Sequence, residues 1–191
     1  MAIKTNKEIN TQRVEDAIKT ILEEIGEDIT RDGLQETPKR VAKAYKELFE
    51  GYRVDDESFL NKTFETTYND GMVTIENIPV YTFCEHHILP FFGRVTVTYK
   101  PNNGKVVGLS KINRLVRNCG RRLQTQEQLT DDIKSALVNV LNPQYVNVKC
   151  WCRHMCVEMR GVNHSGSETF TETTYVAPYQ GEFEIKGIGE E

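Results

Sequence analysis

The chain has 191 residues, of which 27% are charged and 38% hydrophobic, and it carries a net charge of −4 at neutral pH. That length suits one large domain, or one domain with an appendage. The acidic balance argues against bulk electrostatic binding of nucleic acid, and no apolar run reaches the ~20 residues that cross a bilayer, so neither a nucleic-acid nor a membrane partner is expected. The opening stretch MAIKTNKEIN lacks an apolar signal-peptide core. Five cysteines, an odd number, are not spaced as a secreted disulfide framework. Reduced thiols and a cytoplasmic location are the expectation.

Residues 11–25 place Val14, Ile18, Ile21, Leu22 and Ile25 at helical spacing, with Thr11 as a cap candidate and Gly26 suited to the left-handed position after the end. The stretch TPKRVAKAYKELFEG repeats the grammar. Thr37 is a cap candidate, Pro38 takes the first helical position, Val41, Tyr45, Leu48 and Phe49 form the stripe, and Gly51 closes it. Two such helices read as an antiparallel N-terminal appendage over residues 1–71.

From residue 72 the period changes. MVTIENIPVYTFC and FFGRVTVTYKP read as strands, with Asn102-Asn103-Gly104 as a turn signal. Ser110 opens a helix with Ile112, Leu115, Val116, Cys119 and Leu123 on one face. Thr125 and Gln128 form a T-x-x-Q capping box for a second helix carrying Leu129, Ile133, Leu137, Val140 and Leu141. YVNVKCWCRHMCVEM and SETFTETTYVA are again strand-like. The class is therefore α+β, with a ββααββ domain over residues 72–177 and a C-terminal extension of unknown role over 178–191.

The stretch CEHHILPFFG, from Cys84 to Gly93, puts a thiol, a carboxylate and two imidazoles in a turn. Cys84-x-x-His87 has the local spacing of zinc ligands. Read as one unbroken strand, residues 146–160 place Cys150, Cys152, His154, Cys156, Glu158 and Arg160 on one face. Cys156 could then be a third ligand, leaving a fourth position for water, as catalytic zinc sites do. The plainer reading of a lone cysteine is a small buried hydrophobe, and this is preferred for Cys119. Cys150 and Cys152 are either core residues or the completion of a four-ligand site.

CEHHILPFFG, VVGLSKINRLV, RRLQTQEQLT and HMCVEMRGV occur in this order, and together they closely resemble GTP cyclohydrolase I over roughly residues 10–162. The resemblance implies the tunnelling fold, with antiparallel ββααββ subunits joined around a pore. It also implies a homo-oligomer, usually a decamer of two pentameric rings with active sites at subunit interfaces. The implied reaction opens the imidazole ring of GTP by hydrolysis at C8, releases formate, and rearranges to 7,8-dihydroneopterin triphosphate.

By that resemblance Cys84, His87 and Cys156 hold Zn2+. His86 matches the acid that protonates N7, and His154 a second histidine for later proton transfers. Ser110, Lys111 and Arg114 match a segment contacting ribose and phosphate, and Arg160 a further triphosphate contact. Gln126 and Glu127 match the residues that read guanine. A carboxylate can accept from N1–H and the 2-amino group, whereas adenine offers an acceptor at N1. Taken singly, each of these charges also fits a solvated helix face, and Glu127 also suits a helix N-terminus. Arg121 and Arg122 stay unassigned. The competing readings are a nitrile reductase of the same fold, with a cysteine nucleophile and NADPH, and a non-catalytic zinc module. A GTP-binding paralogue without hydrolysis is a third. The pathway that consumes the product is not legible, and the resemblance loosens after Val162.

Overall fold

A computed structural model describes residues 5, 7–67, 71–102 and 104–178. Asn103 of the expected turn lies outside these residues, as does the C-terminal extension beyond Pro178.

Two helices lead the chain, α1 (Thr11–Glu24) and α2 (Thr37–Leu48). Their caps differ from expectation by one residue each. Asn10, not Thr11, is the cap residue and accepts the Arg13 amide at 3.1 Å, since Thr11 is already helical. Glu36 precedes α2 without a side-chain cap, and Thr37 is already helical. Gly26 is left-handed as expected, at φ +86°. Gly51 serves a different purpose, because a Cβ there would lie 2.4 Å from the Asn118 carbonyl. Only glycine lets this turn touch the helix behind it.

The chain then runs through a short strand β1 (Thr63–Glu65), β2 (Val73–Cys84), β3 (Pro90–Lys100), β4 (Lys105–Val107), α3 (Leu109–Cys119), β5 (Leu123–Gln124), α4 (Gln126–Leu141), β6 (Tyr145–His154), the single turn α5 (Met155–Glu158) and β7 (Thr169–Val176). β1 pairs with β4 in a small separate sheet, and the main sheet has the order β5-β2-β3-β6-β7. The core is the expected antiparallel ββααββ unit, β2-β3-α3-α4-β6-β7. The added piece is β5, two residues paired parallel to the end of β2, Cys84 opposite Gln124. No helix among the described residues is long and apolar enough to cross a membrane.

Strand alternation decides which face is buried. Val80, Phe91, Val95, Val97, Val146, Val148, Cys150 and Cys152 meet Ile112, Leu115, Val116 and Cys119 of α3 and Leu129, Ile133 and Leu137 of α4 in one core. The opposite face carries Tyr81 stacked on Phe92, and Arg94 over Trp151. Gly93 lets β3 and β6 close up, since a Cβ would fall 1.9 Å from the Trp151 carbonyl.

The expected continuous strand over 146–160 is overturned. β6 stops at His154, and residues 155–158 make one helical turn. Register supplies the reason. Phe91 faces His154, so Met155 would face Pro90, which has no N–H to give. On the other side, β7 begins opposite Cys152 and offers nothing further along. His154 and Cys156 therefore do not share a strand face.

Candidate metal centre

The turn after β2 is tight. Ile88 and Leu89 close it, the Ile88 amide donating to the Cys84 carbonyl at 2.9 Å and the Cys84 amide to the Leu89 carbonyl at 2.8 Å. This folds Cys84-Glu85-His86-His87 into a loop that points imidazoles back toward the thiol. Cys84 Sγ lies 3.6 Å from His86 Nδ1 and 3.8 Å from His87 Nδ1. Ile88 takes φ +54°, a costly conformation for a β-branched residue.

The helical turn that ends β6 delivers the third group. Potential ligand atoms of Cys84, His87 and Cys156 all lie within 4.8 Å of one another. Cys156 thus reaches the cluster by leaving the strand. Burial first, and the neighbouring Cys84 sulfur second, push the Cys156 thiol up. Two thiols that resist simultaneous ionisation are a natural place for a cation. Arg160 Nη1 sits 3.4 Å from His87 Nε2 on the outer side. Cys150 and Cys152 lie apart from the cluster, both fully buried with sulfurs 3.5 Å apart. The hydrogen bond with the Cys152 sulfur, and burial after it, push the Cys150 thiol up. Cys119 is buried likewise, and desolvation raises its thiol.

His154 is clamped beside this centre. Its ring stacks on Phe91 with centroids 4.5 Å apart and planes 6° from parallel. Its Nε2 lies 2.8 Å from Gln126 Oε1. Burial lowers its pKa, offset in part by the Glu127 carboxylate. Gln126 is the first residue of α4, and its amide nitrogen donates to the carbonyls of Cys150 and Thr169 and to Thr171 Oγ1. The side chain is only 2% exposed. Its neighbour Glu127 is exposed on α4 and lines a groove of about 470 Å³ with Thr130, Asp131 and residues 171–173 of β7.

Thr125 caps α4 by accepting the Gln128 amide at 3.2 Å. The reciprocal half of the expected box is not formed, because the Gln128 side chain donates instead to Asp132 at 2.7 Å. Ser110, Lys111 and Arg114 occupy the first turns of α3, which Gly108 rather than Ser110 precedes as cap residue. No hydrogen bond or ion pair within the described residues joins these three to the Cys84–His87–Cys156 group. The two unassigned arginines are structural. Arg121 pairs with Glu47 and Glu50, and Arg122 is wholly buried against Asp56 and Asp132. Sequence reasoning missed Phe91 and Thr171. Both act across strands, and no local spacing marks them.

The family model for GTP cyclohydrolase I matches residues 14–185. A GTP cyclohydrolase 1 of Campylobacter curvus is 53% identical over 157 residues, covering 82% of each chain. One from Allorhizobium ampelinum is 49% identical over 174 residues, 90% of this chain and 83% of that one, and one from Carboxydothermus hydrogenoformans is 46% identical over 163 residues, 85% and 84%. A solved archaeosine synthase QueF-like structure in the apo form aligns at 20% identity and TM-score 0.43, over 54% of this chain and 91% of that one, too distant to bear on the assignment. With its cysteines and histidine converging as described and its relatives matching over most of their own length, the chain belongs to the GTP cyclohydrolase I family.

Proposed function

We propose that the chain hydrolyses GTP at C8 of the guanine ring, releases that carbon as formate, and yields 7,8-dihydroneopterin triphosphate, with zinc held by Cys84, His87 and Cys156. The convergence of these three groups in a chain of this family is the observation that carries the reading. The donor set fits the metal. Tetrahedral zinc with Zn–S of about 2.3 Å and Zn–N of about 2.0 Å separates its ligand atoms by roughly 3.5–3.8 Å. The Cys84–His87 distance of 3.8 Å is already close to that spacing, and the full triangle lies within 4.8 Å. Zinc lowers the pKa of bound water to about 7 and so makes hydroxide available at neutral pH.

The residues divide the remaining work. Addition of water at C8 pushes electrons onto the imidazole ring, so N7 needs a proton. His86, next to a ligand and exposed, supplies it. His154 serves the proton transfers of the later rearrangement. Glu127 accepts hydrogen bonds from the guanine edge. Lys111, Arg114 and Arg160 neutralise the triphosphate that an acidic protein would otherwise repel, and Ser110 offers it a hydroxyl.

Two features support a homo-oligomer with shared sites, a decamer in the resemblance. The main sheet ends in β7, whose eight-residue outer edge has no partner strand among the described residues. No hydrogen bond or ion pair among the described residues joins the phosphate-binding candidates on α3 to the metal cluster, and in the resemblance the active sites lie at subunit interfaces. Light scattering at micromolar protein tests this, and a fully active monomer would contradict it. Five free cysteines suit a reducing compartment, so we place the chain in the cytoplasm.

The test of function is incubation of zinc-loaded protein with GTP. Stoichiometric formate and a fluorescent pterin after oxidation are expected. Zinc-replete protein that released neither would overturn the reading. Consumption of NADPH with a nitrile substrate would redirect it to the reductase.

A further inference from the structure

We infer that Gln126 is a positioning residue, which fixes the tautomer and orientation of His154, and that it is not a reader of the guanine base. The inference rests on the proposed reaction for its kinetic arm only. The Gln126 amide is engaged at both ends. Its nitrogen faces the backbone carbonyls of Cys150, at 3.1 Å, and Thr169, at 2.9 Å. Carbonyl oxygens only accept, so the NH2 group must point at them and the amide cannot be flipped. Oε1 is thereby turned to His154 Nε2, 2.8 Å away. An amide oxygen also only accepts, so Nε2 must carry the hydrogen. In the neutral imidazole the lone pair is then at Nδ1.

The anchoring runs deeper than one bond. Thr171 Oγ1 lies 3.2 Å from the amide nitrogen and 2.7 Å from Thr130 Oγ1, and Thr130 in turn donates to the Gln126 carbonyl at 2.7 Å. The side chain thus ties the first turn of α4 to β6 and β7. Phe91, stacked on the opposite aspect of the imidazole, prevents the ring from swinging. With the amide 2% exposed and both its ends engaged, a base edge would have to displace bonds already made.

The test uses the full zinc-loaded chain, with Gln126→Leu, similar in size but with no acceptor, and Thr171→Val, which removes only one anchor. Solid-state 15N spectra of histidine-labelled protein report the tautomer, with His154→Gln identifying the resonances. The unaltered protein should show His154 with Nε2–H alone, and Gln126→Leu a mixture. Kinetically, Gln126→Leu should lower kcat about 10- to 100-fold, the usual loss for outer partners of a functional histidine. The KM for GTP and the preference for GTP over inosine triphosphate should stay unchanged. Thr171→Val should move kcat in the same direction by a smaller factor, and it keeps the test open if Gln126→Leu fails to fold. A raised KM or weakened guanine preference with kcat retained would overturn the inference, as would an unchanged tautomer. If the unaltered protein made no pterin, the reaction reading would fall, and the spectra would still decide the tautomer.

Discussion

The buried pair Arg122–Asp56 permits a stability prediction worked from its geometry. Arg122 Nη1 lies 2.8 Å from Asp56 Oδ2, Arg122 Nη2 lies 3.5 Å from Asp132 Oδ2, and the arginine side chain is wholly buried. Asn118 adds a bond to Asp56 Oδ1 at 2.7 Å. Asp56→Asn keeps the shape and removes the charge. Breaking one side of a buried pair costs about 3–5 kcal/mol, because the other charge stays in the interior. Asp132 still neighbours the guanidinium, so the lower end, about 3 kcal/mol, is expected. For a urea slope of about 2 kcal/mol per molar, that moves the midpoint down by roughly 1.5 M. The melts should be run at one fixed protomer concentration, since assembly would make the midpoint concentration-dependent. Adding Arg122→Met removes the stranded charge and should recover part of the loss, so the two changes must be non-additive. A cost below about 1 kcal/mol for Asp56→Asn, or strict additivity in the double variant, would refute the idea that this pair fastens the N-terminal segment to the core.

Cys156→Ala should lose most of the zinc, from about one per chain, together with activity, while circular dichroism stays unchanged. Retention of full zinc by metal analysis would remove Cys156 from the ligand set. His86→Ala should keep its zinc and lose 10²- to 10⁴-fold in turnover, the range of a general acid; loss of metal would instead put His86 in the coordination shell. Glu127→Gln should weaken GTP turnover severely with zinc intact, and the unaltered protein should use inosine triphosphate at a rate between GTP and ATP, since sites built on hydrogen bonds can reject analogues by 10⁴–10⁵. Equal use of GTP and inosine triphosphate would mean the base is read elsewhere.

What could be read without coordinates was what depends on near neighbours in the chain. Helical stripes and strand alternation gave the ββααββ order. Cys84-x-x-His87 stood out because a turn brings residues three apart together whatever the rest of the fold does. Cys156 was legible as a candidate, but its route was not. The strand ends because Pro90, far away in sequence, lies opposite Met155, and no property of residues 155–158 announces that. β5 is too short to carry a period. Arg122 in an Arg-Arg pair stays unassigned by sequence, and its burial depends on Asp56, 66 residues earlier, and on Asp132. Gln126 matched a guanine-reading position, and its burial was not legible, since its partners come from β6 and β7.

The left-handed Ile88 has a consequence for how the metal turn behaves as a mechanical part. A β-branched side chain at φ +54° costs free energy wherever it occurs, so the turn is held in place by its surroundings and not by local preference. Those surroundings are the backbone bonds on either side, while the Ile88 side chain itself is half exposed at the rim of a groove it shares with Tyr45, Phe49 and Tyr52. A glycine at this position would relax the backbone and at the same time widen the range of shapes the loop samples before metal arrives. Local strain relief and ligand preorganisation therefore pull in opposite directions at residue 88. The stiffness of the Cys84–His87 spacing is on this account a property of the backbone bonds that close the turn, Ile88 to Cys84 and Cys84 to Leu89, working against the preference of residue 88.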